Sequence, residues 1–174
     1  MAFRYKLEDY TKIRERDIFV DANVLIYLFW PTGSHFFERS YAHLFRNLLR
    51  QGNKLFVDIF IISEVINRVI RTEHKKNNPA SEYKEFRKSS IGRRALNDVY
   101  IIIKNYVLNH FQVIGKNFNC MEISSFLIVD ELDFVDKVIM SVCKENNLVL
   151  LTNDADFKNS DLDIISGNPK IFDK

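Results

Sequence analysis

Short apolar runs alternate along this chain with longer stretches of helical periodicity. Residues 17–21, 55–57, 111–114 and 148–151 read as strands. The last, uninterrupted by any polar residue, suits a strand buried on both faces. Ile164 and Ile165 predict a fifth, edge strand. Between them the period changes to that of a helix. A short helix is expected through Phe29, stopped by Pro31 and Gly33. Ser34 is the N-cap of the next, which runs to about Arg50 and ends in Gln51-Gly52-Asn53. Residues 60–76 place Ile61, Ile62, Val65, Ile66, Val69 and Ile70 on one half of a helical wheel, with Glu64, Arg68, Arg71 and Lys75 on the other. After the break at Asn77-Asn78-Pro79 comes a polar helical stretch over 81–90, interrupted by Gly92. A long helix over 93–109, a helix over 121–129 and a last one beginning near Asp133 complete the pattern.

Strands alternating with helices predict an α/β fold: a three-layer α/β/α sandwich around a short-stranded, mainly parallel sheet. The 174 residues are expected to form a single domain, with its core at about 17–166 and a basic helical insertion at about 75–94. Residues 1–16 read as a polar, partly helical lead-in, and those after Gly167 as a tail. The charge is unevenly spread. Seven Lys or Arg and two Glu give 75–94 a local +5, against a net +2 for the chain, so the remainder carries −3. An acidic body with a basic segment suits an anionic partner. Cys120 and Cys143 have no metal spacing and suggest no disulfide, which fits a reducing, cytoplasmic setting. No signal-peptide pattern or bilayer-length apolar run is present, so no membrane partner is expected.

The candidate chemistry lies in four acids. Asp21 directly follows the first strand, and Asp154 closely follows 148–151. Parallel topology places such ends on one edge of the sheet, where ligands bind in open α/β folds. Glu64 lies near the start of the helix after the second strand, and Asp136 lies in the first turns of the last helix, with Asp133 its cap. Gathered acids disfavour one another's ionisation unless a cation compensates. Carboxylates without Cys or His suit one or two Mg²⁺ or Mn²⁺ ions, which serve phosphodiester hydrolysis without a Ser, Cys or His nucleophile.

These residues carry a resemblance. Phe19-Val-Asp-Ala-Asn-Val-Leu-Ile26, Ser63-Glu64, Asp133-Phe-Val-Asp-Lys-Val-Ile-Met140 and Leu150-Leu-Thr-Asn-Asp-Ala-Asp-Phe157 resemble, in order, the four motifs of the PIN domain, particularly its VapC-type toxin ribonucleases. The resemblance implies that Asp21, Glu64, Asp136 and Asp154 are the metal-binding and catalytic acids. Asn23, Ser63, Thr152 and Asp156 would support them. It implies metal-dependent hydrolysis of RNA, single-stranded or structured, leaving a 5′-phosphate and a 3′-hydroxyl. It also implies a homodimer and a cognate antitoxin as partners. Lys137 departs from the family pattern, which has a small residue there; it would crowd the metal or contact phosphate. Arg68, Arg71, Lys75 and Lys137 are the candidate RNA contacts. Alternatives are a PIN nuclease of RNA processing, a non-catalytic PIN-like RNA- or protein-binding module, and a phosphatase of the haloacid dehalogenase type. The last wants its Asp-x-Asp on the first strand, whereas Asp154-Ala-Asp156 lies near the end of the chain.

Overall fold

The computed structural model describes residues 2–30 and 33–173. Six strands, β1 Arg4–Lys6, β2 Ile18–Val20, β3 Leu55–Val57, β4 Phe111–Val113, β5 Val149–Leu151 and β6 Ile164–Ser166, form one sheet in the order β1-β6-β5-β2-β3-β4. Every pairing is parallel. At the centre Ile18 of β2 is in register with Leu55 on one side and Val149 on the other. The residues of β2 and β5 are buried on both faces, as their unbroken apolar runs require.

Among the described residues eight α-helices connect the strands: α1 Ala22–Phe29, α2 His35–Arg50, α3 Ile59–Asn77, α4 Tyr83–Lys88, α5 Ser90–Ile102, α6 Leu108–His110, α7 Cys120–Phe126 and α8 Phe134–Glu145. The chain steps outward from β2 to β3 and β4, then returns past β2 to β5 and β6. Right-handed crossovers in opposite directions put their helices on opposite faces of the sheet. The result is an α/β/α sandwich with a crevice between β2 and β5, where the strand order reverses. Each of α1, α3 and α8 runs antiparallel to the strands, so their N-termini share the carboxyl edge. No helix of the described residues is long and apolar enough to cross a membrane.

Several expectations need correction. The lead-in contributes β1, so the described residues form six strands, and β6 is interior rather than an edge. β1 is held by Arg4, whose guanidinium donates to the carbonyls of Leu162 (2.6 Å), Lys158 (2.9 Å) and Ser160 (2.6 Å). The stretch after Gly167 is not a tail: Ile171 is buried, and Asn168 Nδ2 donates to the Asn153 carbonyl at 2.7 Å. The stop at Pro31 lies outside the described residues, while Gly33 has φ +83°. The helix expected over 93–109 runs instead from Ser90 to His110, through a π-helical segment at Ile103–Val107.

The segment expected as a basic insertion is a packed hairpin of α4 and α5, and Gly92 does not interrupt it. The break is at Ser89, whose hydroxyl caps α5 by accepting from Gly92 N at 3.1 Å. Gly92 sits buried inside α5, where a Cβ would stand 2.0 Å from the Phe86 carbonyl oxygen. Gly92→Ala would gain about 1 kcal/mol of helix propensity, yet it forces two backbones apart. The expected net effect is a loss of about 1–3 kcal/mol, read calorimetrically as a Tm lowered by roughly 3–8 °C. An unchanged Tm would mean that α4 and α5 do not approach this closely.

Candidate active site at the carboxyl edge of the sheet

Asp21 is the pivot of the crevice. It is 5% exposed and caps α1. Its Oδ1 accepts from Ala22 N at 2.6 Å; its Oδ2 accepts from Asn23 Nδ2 and from Thr152 Oγ1, both at 2.6 Å. Thr152 Oγ1 in turn accepts from Asp154 N at 2.9 Å, and Asn23 Oδ1 accepts from Asn153 N at 3.0 Å. One network therefore ties the end of β2 to the end of β5. Asp154 caps the short 3-10 turn Ala155–Asn159, its Oδ1 accepting from Asp156 N at 3.1 Å.

Two opposed influences act on Asp21. Burial raises its pKa, and Glu64 and Asp154 add to the rise; the hydrogen bonds from Thr152 and Ala22 lower it. Burial wins, and the carboxyl is pushed up to about 6. Asp136 is pushed up to about 7, by burial first, then by Asp133, Asp154 and Asp21, against a hydrogen bond from the Asp133 backbone. Asp133 is the cap of α8, as its sequence position suggested. Its Oδ1 accepts from Asp136 N at 2.8 Å, and Asp133 N donates back to Asp136 Oδ2 at 3.2 Å.

Asp21, Glu64, Asp136 and Asp154 line one open cleft of about 430 Å³, together with Asn23, Asp133 and Asp156 and with Arg68 and Arg71. Arg68 pairs with Glu64 at 3.1 Å. A larger cavity of about 740 Å³ lies elsewhere, beside Leu7, Tyr10, Phe36, Leu44 and Phe172; its mainly apolar lining does not gather the acids.

Ser63 also lines the cleft; it is exposed, and its Oγ accepts from Asn67 Nδ2 at 3.4 Å. Lys137 turns away from the cleft. Its ammonium donates to the carbonyls of Phe126 and Ile128 and pairs with Asp130 at 2.9 Å, so it neither crowds the site nor faces a phosphate there. Lys75, beyond Arg71 on α3, is exposed but not part of the cleft.

Two other residues join the network around Asp21 and have weak sequence signals. Asn153 occupies the variable place in its motif. Tyr41 reads only as an apolar position of α2, yet its hydroxyl donates to Asn153 Oδ1 at 2.8 Å. Asp58 ends β3 and caps α3 through Ile61 N at 2.8 Å. Burial raises its pKa, and its Oδ2 has no hydrogen-bond partner among the described residues.

The donor set suits a hard cation in its chemistry: hydrogen-bonded carboxylates in a cleft whose described lining has no His or Cys. Among the described residues no three acidic, His or Cys side chains are close enough to enclose an ion. Mg²⁺ does not demand such a cage, because it keeps several waters and is held through one or two carboxylates and the substrate phosphate.

A family model described as PIN domain matches residues 18–161. No curated protein matches the chain.

The raised pKa of Asp21 has a consequence for stability. Between its unfolded value of 3.8 and about 6 the folded protein holds a proton that the unfolded chain has lost. Stability contributed by this group is therefore complete below pH 4 and lost as pH rises through 6, by about 3 kcal/mol in all. Urea titrations of metal-free protein from pH 4 to 7.5 should show this fall. Removing the Thr152 hydroxyl in Thr152→Val should move the Asp21 transition, followed by carboxyl ¹³C NMR, to higher pH. A transition that stays in place or moves down would contradict the balance of burial against hydrogen bonding.

Proposed function

This chain belongs to the PIN-domain family, which carries a nuclease-type fold, and on that premise we propose that it is a divalent-metal-dependent endoribonuclease. Asp21, Glu64, Asp136 and Asp154 are the acids of its reaction. The observation that carries this reading is their convergence on one cleft, where burial and mutual repulsion hold two of them above the usual carboxylate range.

Each residue has a distinct task. Asp21, fixed by three donors, offers the most rigid carboxylate and has little rotamer freedom left to lose on binding. Thr152 and Asn23 orient it, and Thr152 sets Asp154 beside it through the Asp154 backbone. Asp156 supports Asp154 through its backbone N–H. Arg68 and Arg71 lie on the same cleft wall as Glu64 and neutralise the phosphodiester of an incoming strand. Asp136, with its raised pKa, is suited to hold or release a proton near neutrality. One or two Mg²⁺ or Mn²⁺ ions held by these carboxylates would supply Lewis-acid polarisation of the phosphate and acidify a water.

The finer reading is a toxin of a type II toxin–antitoxin module, acting in the cytoplasm as a homodimer and silenced by a cognate antitoxin. The close fit of residues 19–26 to the opening motif supports it. Both cysteines are free, which accords with a reducing compartment.

Purified protein with Mn²⁺ should cut single-stranded RNA to fragments bearing 5′-phosphates. Asp21→Asn and Asp154→Asn should each reduce the rate by roughly 100-fold or more, and EDTA should abolish it. Cleavage indifferent to EDTA and to Asp21→Asn would overturn the mechanism; RNA binding without cleavage under any divalent ion would favour a non-catalytic module. Growth arrest on expression, relieved by an adjacent small gene, tests the toxin reading separately. A nuclease without growth arrest would be one of RNA processing.

A further inference from the structure

The basic hairpin is the largest feature that the cleft chemistry does not use. On α4, Lys84, Arg87 and Lys88 have the i, i+3, i+4 spacing of one helix face. That face lies opposite Phe86, which is 2% exposed and anchors the helix. On α5, Arg93 and Arg94 are exposed, while Gly92, Ala95 and Val99 turn inward. Among the described residues no carboxylate pairs with any of these five cations. The acids Glu82 and Glu85 leave the hairpin with a clear positive excess.

The hairpin is rigidly placed. Ser89 forms the corner, its hydroxyl donating to the Phe86 carbonyl at 2.7 Å, and the close approach of Gly92 to Phe86 locks the two helices together. His74 of α3 packs on Phe86 with ring centroids 5.0 Å apart, and the Ser81 carbonyl lies 2.8 Å from its Nε2. Arg71 supplies continuity with the cleft: it lines the cleft, and its guanidinium lies over the Tyr83 ring of α4 at 4.8 Å. Fixed, unpaired cations reached directly from an active cleft match a polyanion that extends beyond it.

We propose that the α4–α5 hairpin, through Lys84, Arg87, Lys88, Arg93 and Arg94, is a second RNA-binding site that holds the phosphate backbone of the strand running out of the cleft past Arg71. It deepens the ribonuclease reading and rests on it for the identity of the polyanion. The site reads charge and spacing rather than bases, since all five of its named side chains are cations suited to phosphates. It makes this protein a nuclease for long RNA: a fragment that fills only the cleft gains nothing from the hairpin.

The test compares full-length protein with two variants, Lys84→Gln/Arg87→Gln/Lys88→Gln and Arg93→Gln/Arg94→Gln. All carry Asp21→Asn so that cleavage does not consume the ligand, and circular dichroism checks the fold. Fluorescence anisotropy is read with labelled RNA of about 20 nucleotides and of about 4. For the long RNA the triple variant should bind about tenfold more weakly at physiological salt, and its slope of log K against log salt should shrink by about 2. The short RNA should bind all three proteins alike. Glu85→Gln, which removes an acid from the hairpin, should tighten the long RNA about twofold. Equal affinity of all variants for the long RNA would overturn the proposal, as would an equal loss for the short one. If the protein with Asp21 intact fails to cut RNA in Mn²⁺ while the hairpin variants still lose long-RNA affinity, the nuclease reading fails and the second site stands.

Discussion

The fold depends on a buried carboxylate between two strands far apart in sequence. Asp21 ends β2, Thr152 follows β5, and the 2.6 Å hydrogen bond between them closes the crevice where the strand order reverses. A carboxylate so deeply buried is costly unless its oxygens are satisfied. Here three donors satisfy it: a helix-cap N–H, an amide and a hydroxyl. Each donor is itself held, Thr152 by Asp154 N and Asn23 by Asn153 N, so the arrangement of one acid governs the position of another.

The same economy explains the tension in the site. Parallel strands and the helices between them bring acids to one edge whether or not their charges are compatible. Burial and repulsion then lift Asp21 and Asp136 toward neutral pH. The stabilisation that offsets this strain comes from the apolar centre of the sheet, whose β2 and β5 residues are almost fully withdrawn from water. The proposed chemistry thus falls on the least comfortable part of the molecule, which the most comfortable part supports. The basic hairpin repeats the theme with opposite sign: its cations stay in water, and Phe86 and Gly92 bear the packing.

Local pattern failed where a position depends on partners rather than periodicity. Arg4–Lys6 has no apolar run; it becomes a strand because Arg4 finds three carbonyls near residues 158–162. Ile171, in a polar context, gives no sign that it will be buried. Gly92 reads as a breaker and is instead a contact point. Lys137 stands beside an acid in sequence, but a helix projects neighbouring residues in different directions, and its ammonium caps the carbonyls of the 126–130 loop.

By itself the sequence determined most of the elements and their order, β1 excepted: apolar runs too short for helices, helical stripes between them, and an acid after each of two central strands. It thereby specified the α/β class, the shared edge and Asp21 as its centre, because strand burial and helix amphipathicity are properties of residues near one another in the chain. Only the tertiary structure decided which side chains touch: Thr152 and Asn23 on Asp21, Tyr41 on Asn153, Arg71 between cleft and hairpin, and Lys137 away from both. These contacts join residues separated by up to 131 positions. Their geometry follows from strand register and helix rotation, which no local pattern encodes.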